Sequence, residues 1–253
     1  MSRIAVICGT GMATFVENLA SDKKSIISTF IAESYWGDVP ISAISLDLGK
    51  IFVIDRHHSS DENRTPPHEI EHRANVHAVT SCQPELIISV NSVGSMTELL
   101  PPGSVGVSSD VLDLSIKPWT FHDNNAVHVD RTSPFDVKAS AICEQVISEV
   151  QGSFTSSIIV AQCVGPQFET TAEIDALEML GAHVVGMTLG PEQRLIAEKE
   201  IPHISLVCSS NWAAGRNPKN PNARIDHELV NEEASQMVAT ISACILALLE
   251  RLT

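Results

Sequence analysis

Two groups of side chains in this sequence carry the chemistry needed to hold a ligand. The first is made of hydroxyls and cations. Thr10 sits in a Gly9-Thr10-Gly11 turn, Arg56-His57 follows an apolar run, Ser92 follows Asn91, and Thr188 follows Met187. Hydroxyls, small-residue turns and one Arg-His pair suit an oxyanion about the size of phosphate. The second group is Phe168, Glu169 and Asn211. An aromatic face for stacking, with a carboxylate and an amide for ring edges, suits a planar heterocycle. Each piece also has an ordinary reading: Gly9-Thr10-Gly11 as a plain turn, Arg56-His57 as a solvated strand end, residues 163–188 as a structural helix–strand unit.

What decides between these readings is whether secondary structure brings the residues together. The apolar run at 3–8 predicts a buried first strand. Residues 41–54 read as two strands joined at Leu48-Gly49-Lys50, ending in Asp55-Arg56-His57-His58. Residues 59–67 are polar with two prolines and read as a loop. Helical spacing over 69–82 feeds a strand at 86–90, which ends in a second small-residue turn, Asn91-Ser92-Val93-Gly94-Ser95. An extended segment at 105–114 and a long irregular excursion at 117–135 follow. The excursion carries His122, His128, Asp130 and Arg131, and such loops more often bind or make contacts than fill space.

A helix at about 135–150 and a strand at 158–161 lead into residues 163–188. There Gly165-Pro166 marks a turn, Ile174, Leu177 and Leu180 lie on one side of a helix, and Gly181 stops it. A short strand at 184–186 then delivers Met187 and Thr188. A helix at 190–200, a strand at 204–208 ending in Ser209-Ser210-Asn211-Trp212, and a terminal helix capped by Asp226 complete the chain. Alternating strands and helices predict an α/β fold: a single domain over residues 1–253, with a mixed central β-sheet flanked by helices. Strand ends on a shared edge are where such folds hold ligands.

Composition narrows the function. A length of 253 residues and 43% hydrophobic content suit a compact domain with a sizeable core. A net charge of -15 argues against general nucleic-acid binding or attachment to acidic membranes. An anionic small substrate stays possible, provided a local pocket supplies donors. The six cysteines are scattered without a CxxC and read as small core residues in a reducing compartment. No leader precedes the first strand and no apolar run is long enough to span a membrane, which predicts a cytoplasmic location. Neither a nucleophile elbow, a P-loop nor an HExxH motif is present. His68 and His72 stand four apart, as helical metal ligands do, but nothing completes a site, and an exposed helix face is the simpler expectation.

Taken in order, the sequence resembles the trimeric purine nucleoside phosphorylase and methylthioadenosine phosphorylase family over nearly its whole length. The resemblance rests on ICGTG at 7–11, Arg56-His57, PPHEIEHRAN at 66–75, NSVGS at 91–95, HVD and SPFD at 128–136, GPQFET at 165–170, GMT followed by PE at 186–192, and SNWAAG at 210–215. It is nearest to the bacterial methylthioinosine phosphorylase branch. The resemblance implies a nucleoside phosphorylase-like fold, a homotrimer, and phosphorolysis of a purine nucleoside to free base and ribose 1-phosphate or its 5-methylthio analogue. Inorganic phosphate is then a co-substrate, with no metal and no organic cofactor.

The same resemblance implies roles position by position. Thr10, Arg56, His57, Ser92 and Thr188 would bind phosphate. Met187 would pack under the ribose, Phe168 would stack on the base, and Glu169 with Asn211 would read it. His128 would be lent by a neighbouring subunit near the sugar 5′ end. Asn211, Glu169 and His57 would be the catalytic side chains. An Asn at 211 goes with 6-oxopurines, because an amide donates to N7 or a 6-oxo group where a carboxylate does not. Alternatives are a 6-aminopurine substrate, or a member that binds nucleoside without turnover. Three departures from the family pattern support the second: His58-Ser59-Ser60-Asp61 after Arg56-His57, Glu71-His72 before the RAN element, and Gln167 in GPQFET.

Overall fold

The apolar run at the start becomes β1 (Ser2–Cys8), whose side chains alternate between two cores. Ile4, Val6 and Cys8 enter one, while Ala5 and Ile7 enter the other, all at 4% exposure or less. A strand buried on both faces belongs at the centre of a layered α/β domain, and β1 pairs in parallel with β4 (Gly49–Asp55) and β5 (Leu86–Ser95). The computed structural model describes residues 2–9, 15–20, 25–59, 64–152, 157–225 and 237–251. Its other strands are β2 (Ile26–Ala32), β3 (Val39–Leu46), β6 (Val105–Asp113), β7 (Ile158–Gln162), β8 (Val184–Gly186) and β9 (His203–Trp212).

These strands form one mixed sheet, ordered β2-β3-β4-β1-β5-β8-β7-β6-β9, with β9 also pairing to β5. The second half therefore closes on itself. β5 leaves β1 after Ser89, reaches β8 at Gly94 and Ser95, and keeps β9 along its other edge. Between Ser89 and Gly94 the first edge of β5 has neither neighbour, and the functional residues gather at that gap.

Helices α1 (Phe15–Leu19), α3 (Val137–Gln151) and α6 (Val238–Arg251) cover one face, and α2 (His72–Ser81) and α5 (Leu189–Ala197) cover the other. α4 (Thr171–Met179) lies over the closed half, through Ile174. Local chemistry sets the helix ends. Asp136 caps α3 by accepting from the Ala139 N–H at 2.8 Å, and Gly152 ends it with φ 68°. Thr170 and Glu173 form a reciprocal capping box on α4, and Gly181 (φ 92°) follows its end.

Several expectations need correction. Asn91–Ser95 is not a turn: it continues β5, because its small side chains fit between β9 and β8. β4 begins at Gly49, which lies against β1 so closely that a Cβ there would sit 2.4 Å from the Ser2 carbonyl oxygen. The helix expected over 69–82 splits into a short 3-10 turn, Pro67–Glu69, and α2, which Glu71 caps. His72 therefore lies not on an exposed face but buried at 2%, edge-on to Trp119. His203 is buried too, at the start of β9. The segments β2 and α1 carry no periodic signal and were not expected. Asp226 and its expected cap lie outside the described residues, as does Thr10.

Candidate functional site

At the gap in β5 one pocket is lined by Arg56, His57, Ser92, Phe168, Glu169, Met187, Thr188 and Asn211, together with Gly94, Ser210 and others. Its empty space is about 690 Å³, open mouth included. Every expected site residue within the described segments is here except His128, which is exposed on the 117–135 excursion and does not line this pocket.

The part of the lining with hydroxyls and a cation, chemistry suited to an anion, is deeply buried. β4 ends at Asp55, and Arg56 turns back under the sheet at 3% exposure. Its guanidinium forks onto Glu192, with Nε donating to Oε1 at 2.6 Å and Nη2 to Oε2 at 3.3 Å. It also donates to the Ile7 carbonyl (3.0 Å) and the Val90 carbonyl (2.8 Å), bridging β1 and β5 where they part. Gly9 must be a glycine here, since a Cβ would fall 2.6 Å from Arg56 Nη1. Because Glu192 is fully buried, this ion pair leaves little net charge, and an anion is met by directed N–H and O–H groups more than by a free cation.

The hydroxyls are oriented by their neighbours. Ser205 donates to Asn91 Oδ1 at 3.2 Å, and Asn91 Nδ2 donates to Thr188 Oγ1 at 3.0 Å. Thr188 thus uses an acceptor lone pair on the protein and keeps its proton for a ligand. His57 is fixed through Nδ1 to the Thr65 carbonyl at 2.8 Å, and Asp55 Oδ1 accepts from its backbone N–H. Burial, reinforced by the Arg56 charge, pushes its pKa down to about 4, so the ring is neutral near pH 7. With Nδ1–H on Thr65, Nε2 is an acceptor. Such a ring bonds to the protonated oxygen of a phosphate monoanion, or serves as a positioner.

The part of the lining with an aromatic, a carboxylate and an amide, chemistry suited to a flat ring, is more open. Phe168 is 37% exposed at the mouth, on the loop between β7 and α4. That loop folds down on Met187: Gly165 has φ 68°, and a Cβ on it would lie 2.5 Å from Met187 Sδ. Met187 presents its thioether to the pocket lining. Burial raises the pKa of the Glu169 carboxyl above its ordinary value, although a bond from Cys163 opposes this. Burial and the Glu169 charge together push the Cys163 thiol up to about 12, leaving it an inert neighbour at neutral pH. Asn211, at the end of β9, is half-buried against Gly94.

Sequence reasoning missed Glu192 and Ser210 as parts of this site, and placed Asn91 on the shared strand edge beside Ser92 without a role of its own. Glu192 stood in the PE string, but an acid in the first turn of a helix ordinarily answers the helix dipole. Only the fold shows that its partner lies 136 residues away. Among the described residues no group of three or more His, Cys, Asp and Glu is placed to hold a metal ion, and no helix is long and apolar enough to cross a membrane.

The chain is similar to known proteins over most of its length. The model of the phosphorylase superfamily matches residues 3–250. A probable S-methyl-5'-thioinosine phosphorylase of Methanothermobacter thermautotrophicus is 34% identical over 248 residues, covering 96% of this chain and 83% of that protein. The 6-oxopurine nucleoside phosphorylase of Pyrococcus furiosus is 29% identical, over 97% of this chain and 92% of its own. Among solved structures, methylthioadenosine phosphorylase from Schistosoma mansoni in complex with adenine gives a TM-score of 0.85. It covers 100% of this chain and 92% of that one at 19% identity, a likeness of fold alone.

Proposed function

The chain belongs to the phosphorylase superfamily, and on that premise we propose that it splits a purine nucleoside carrying a 6-oxo base with inorganic phosphate. Products are the free base and ribose 1-phosphate, or 5-methylthioribose 1-phosphate when the nucleoside is 5'-methylthioinosine. The observation that carries this reading is that two chemistries line one pocket: Arg56, Ser92 and Thr188 on the one hand, and Phe168, Glu169 and Asn211 on the other, with Met187 among them.

The reaction follows from that arrangement. Breaking the glycosidic bond leaves cationic character at C1′ of the sugar, above Met187. A phosphate held by the Thr188 and Ser92 hydroxyls and by Arg56 stabilises that charge and then attacks C1′. Negative charge passes into the purine, where an N–H of Asn211 meets N7 as charge develops. Glu169 accepts from a ring N–H. No step calls for a metal or organic cofactor. His128, exposed on its excursion, is proposed to complete the sugar 5′ end of a neighbouring subunit in a cytoplasmic homotrimer.

The test is base release with and without phosphate from inosine, guanosine, adenosine, methylthioinosine and methylthioadenosine. Phosphate-dependent release of hypoxanthine, fastest from methylthioinosine, is the expected result. Release of adenine in preference would keep the reaction and overturn the base assignment. No release by folded protein would support a member that binds without turnover.

A further inference from the structure

The pairing of β5 with β9 contains one irregularity, and it lies in the site. Val93 pairs with Ser209, but the next residue, Gly94, pairs with Asn211, so Ser210 is an extra residue in β9. Consecutive strand residues ordinarily point to opposite faces. Here Ser210 and Asn211 both line the same pocket, which is what a bulge achieves by re-aiming a side chain.

Ser210 makes specific use of this position. Its hydroxyl receives a hydrogen bond from Ser92 at 2.8 Å and donates to Asn211 Oδ1 at 3.1 Å, with the Val93 carbonyl a longer alternative at 3.3 Å. On its other side Asn211 Nδ2 donates to the Trp212 carbonyl at 2.9 Å. A flipped amide would place an oxygen against that carbonyl and would give up the bond that Oδ1 accepts from Ser210. The orientation is therefore fixed from both sides. Oδ1 is occupied by Ser210, and one Nδ2 hydrogen remains with no partner among the described residues.

We propose that Ser210 is a positioning residue that sets base specificity by locking the Asn211 amide so that it offers the base a donor and withholds an acceptor. A donor-only edge bonds to N7 of either base, shares its hydrogen with a 6-oxo acceptor beside N7, and gains nothing from a 6-amino group. Removing the Ser210 hydroxyl frees Oδ1 and lets the amide rotate to accept from an amino group. The proposal rests on the phosphorolysis reading, and its test separates the two.

Inosine and adenosine kcat/KM, together with the phosphate KM, are measured for wild type, Ser210→Ala, Ser210→Thr and Ser209→Ala. Loss of one hydrogen bond to the amide predicts that the inosine-over-adenosine ratio falls about 5- to 10-fold in Ser210→Ala. The phosphate KM does not rise, because Ser210 is given no contact with phosphate and Ser92 keeps its hydroxyl, and Ser210→Thr restores the ratio. Ser209, whose buried hydroxyl has no hydrogen-bond partner among the described residues, is the control: Ser209→Ala changes neither quantity. An unchanged ratio in Ser210→Ala, or a parallel loss in Ser209→Ala, overturns the proposal. If wild type releases no base at all, the reaction assignment fails on its own. Calorimetric binding of hypoxanthine against adenine then decides the lock, which fails if Ser210→Ala keeps the wild-type preference.

Discussion

The two ends of the pocket are made differently. At the anion end, Arg56, Glu192, Asn91 and Thr188 are all buried at 9% exposure or less and bonded to one another or to strand carbonyls. At the ring end, Phe168 stands at the mouth on a loop, and Glu169 is half-buried. A small symmetric oxyanion gains from donors fixed in advance, since reorganisation would cost binding energy. A large flat base has to enter from solvent, and that requires one wall that is not part of the sheet.

Substitutions should split along this line. The largest effect is expected for Glu192→Ala, which leaves the buried Arg56 cation unpaired. It should cost about 3–5 kcal/mol in urea unfolding, whereas Phe168→Ala should stay within about 1 kcal/mol of wild type. Equal losses for the two would mean that the ends are not built differently. Next comes Thr188→Ala. Loss of a donor to a charged oxyanion should raise the phosphate KM about 10-fold or more, with a smaller change for the nucleoside. The reverse ordering would misplace the phosphate site.

Asn211→Asp should lower the inosine-over-adenosine ratio about 10-fold. The new carboxyl puts an oxygen where Nδ2 now meets the Trp212 carbonyl and removes the N–H offered to the base. An unchanged ratio would refute the role given to Asn211. Phe168→Ala should raise the nucleoside KM several-fold, in line with the loss of about 1 kcal/mol of stacking, and leave the phosphate KM alone.

The ends also respond to pH with opposite sign. His57 has a folded pKa of about 4 against an ordinary 6.5. Between those values the unfolded chain holds the extra proton, so this contribution to stability is full above pH 6.5 and is lost as pH falls toward 4. Glu169 is shifted upward, so the folded state holds the extra proton and stability falls as pH rises through the shifted pKa. Unfolding midpoints of wild type and His57→Asn should therefore converge as pH drops from 6.5 to 4, read by urea titration at several pH values. A constant gap would show that His57 is not buried as a neutral ring.

Much of this was legible from the residues. Apolar runs gave β1 and β4, and Gly165-Pro166 and Gly181 bracketed the loop and helix that carry Phe168 and Glu169. Arg56, Thr188 and Asn211 were found as polar groups at strand ends. What escaped depends on contacts distant in sequence. Small polar residues at 91–95 signal a turn unless two neighbouring strands are known to hold them. β2 is an edge strand exposed on both faces, so it lacks the alternation that reveals strands. His72 looked like a surface residue because the ring that buries it, Trp119, lies on an irregular segment.

The single extra residue in β9 bears on how such a protein can change over evolutionary time. Asn211 lines the pocket beside Ser210 because the chain gains one position relative to β5 just before it. Losing that position would swing the amide out of the pocket, and gaining another would do the same. New base preferences must therefore arise by exchanging side chains within a stretch of constant length. Libraries aimed at altered nucleosides should randomise residues 209–213 and exclude insertions and deletions there.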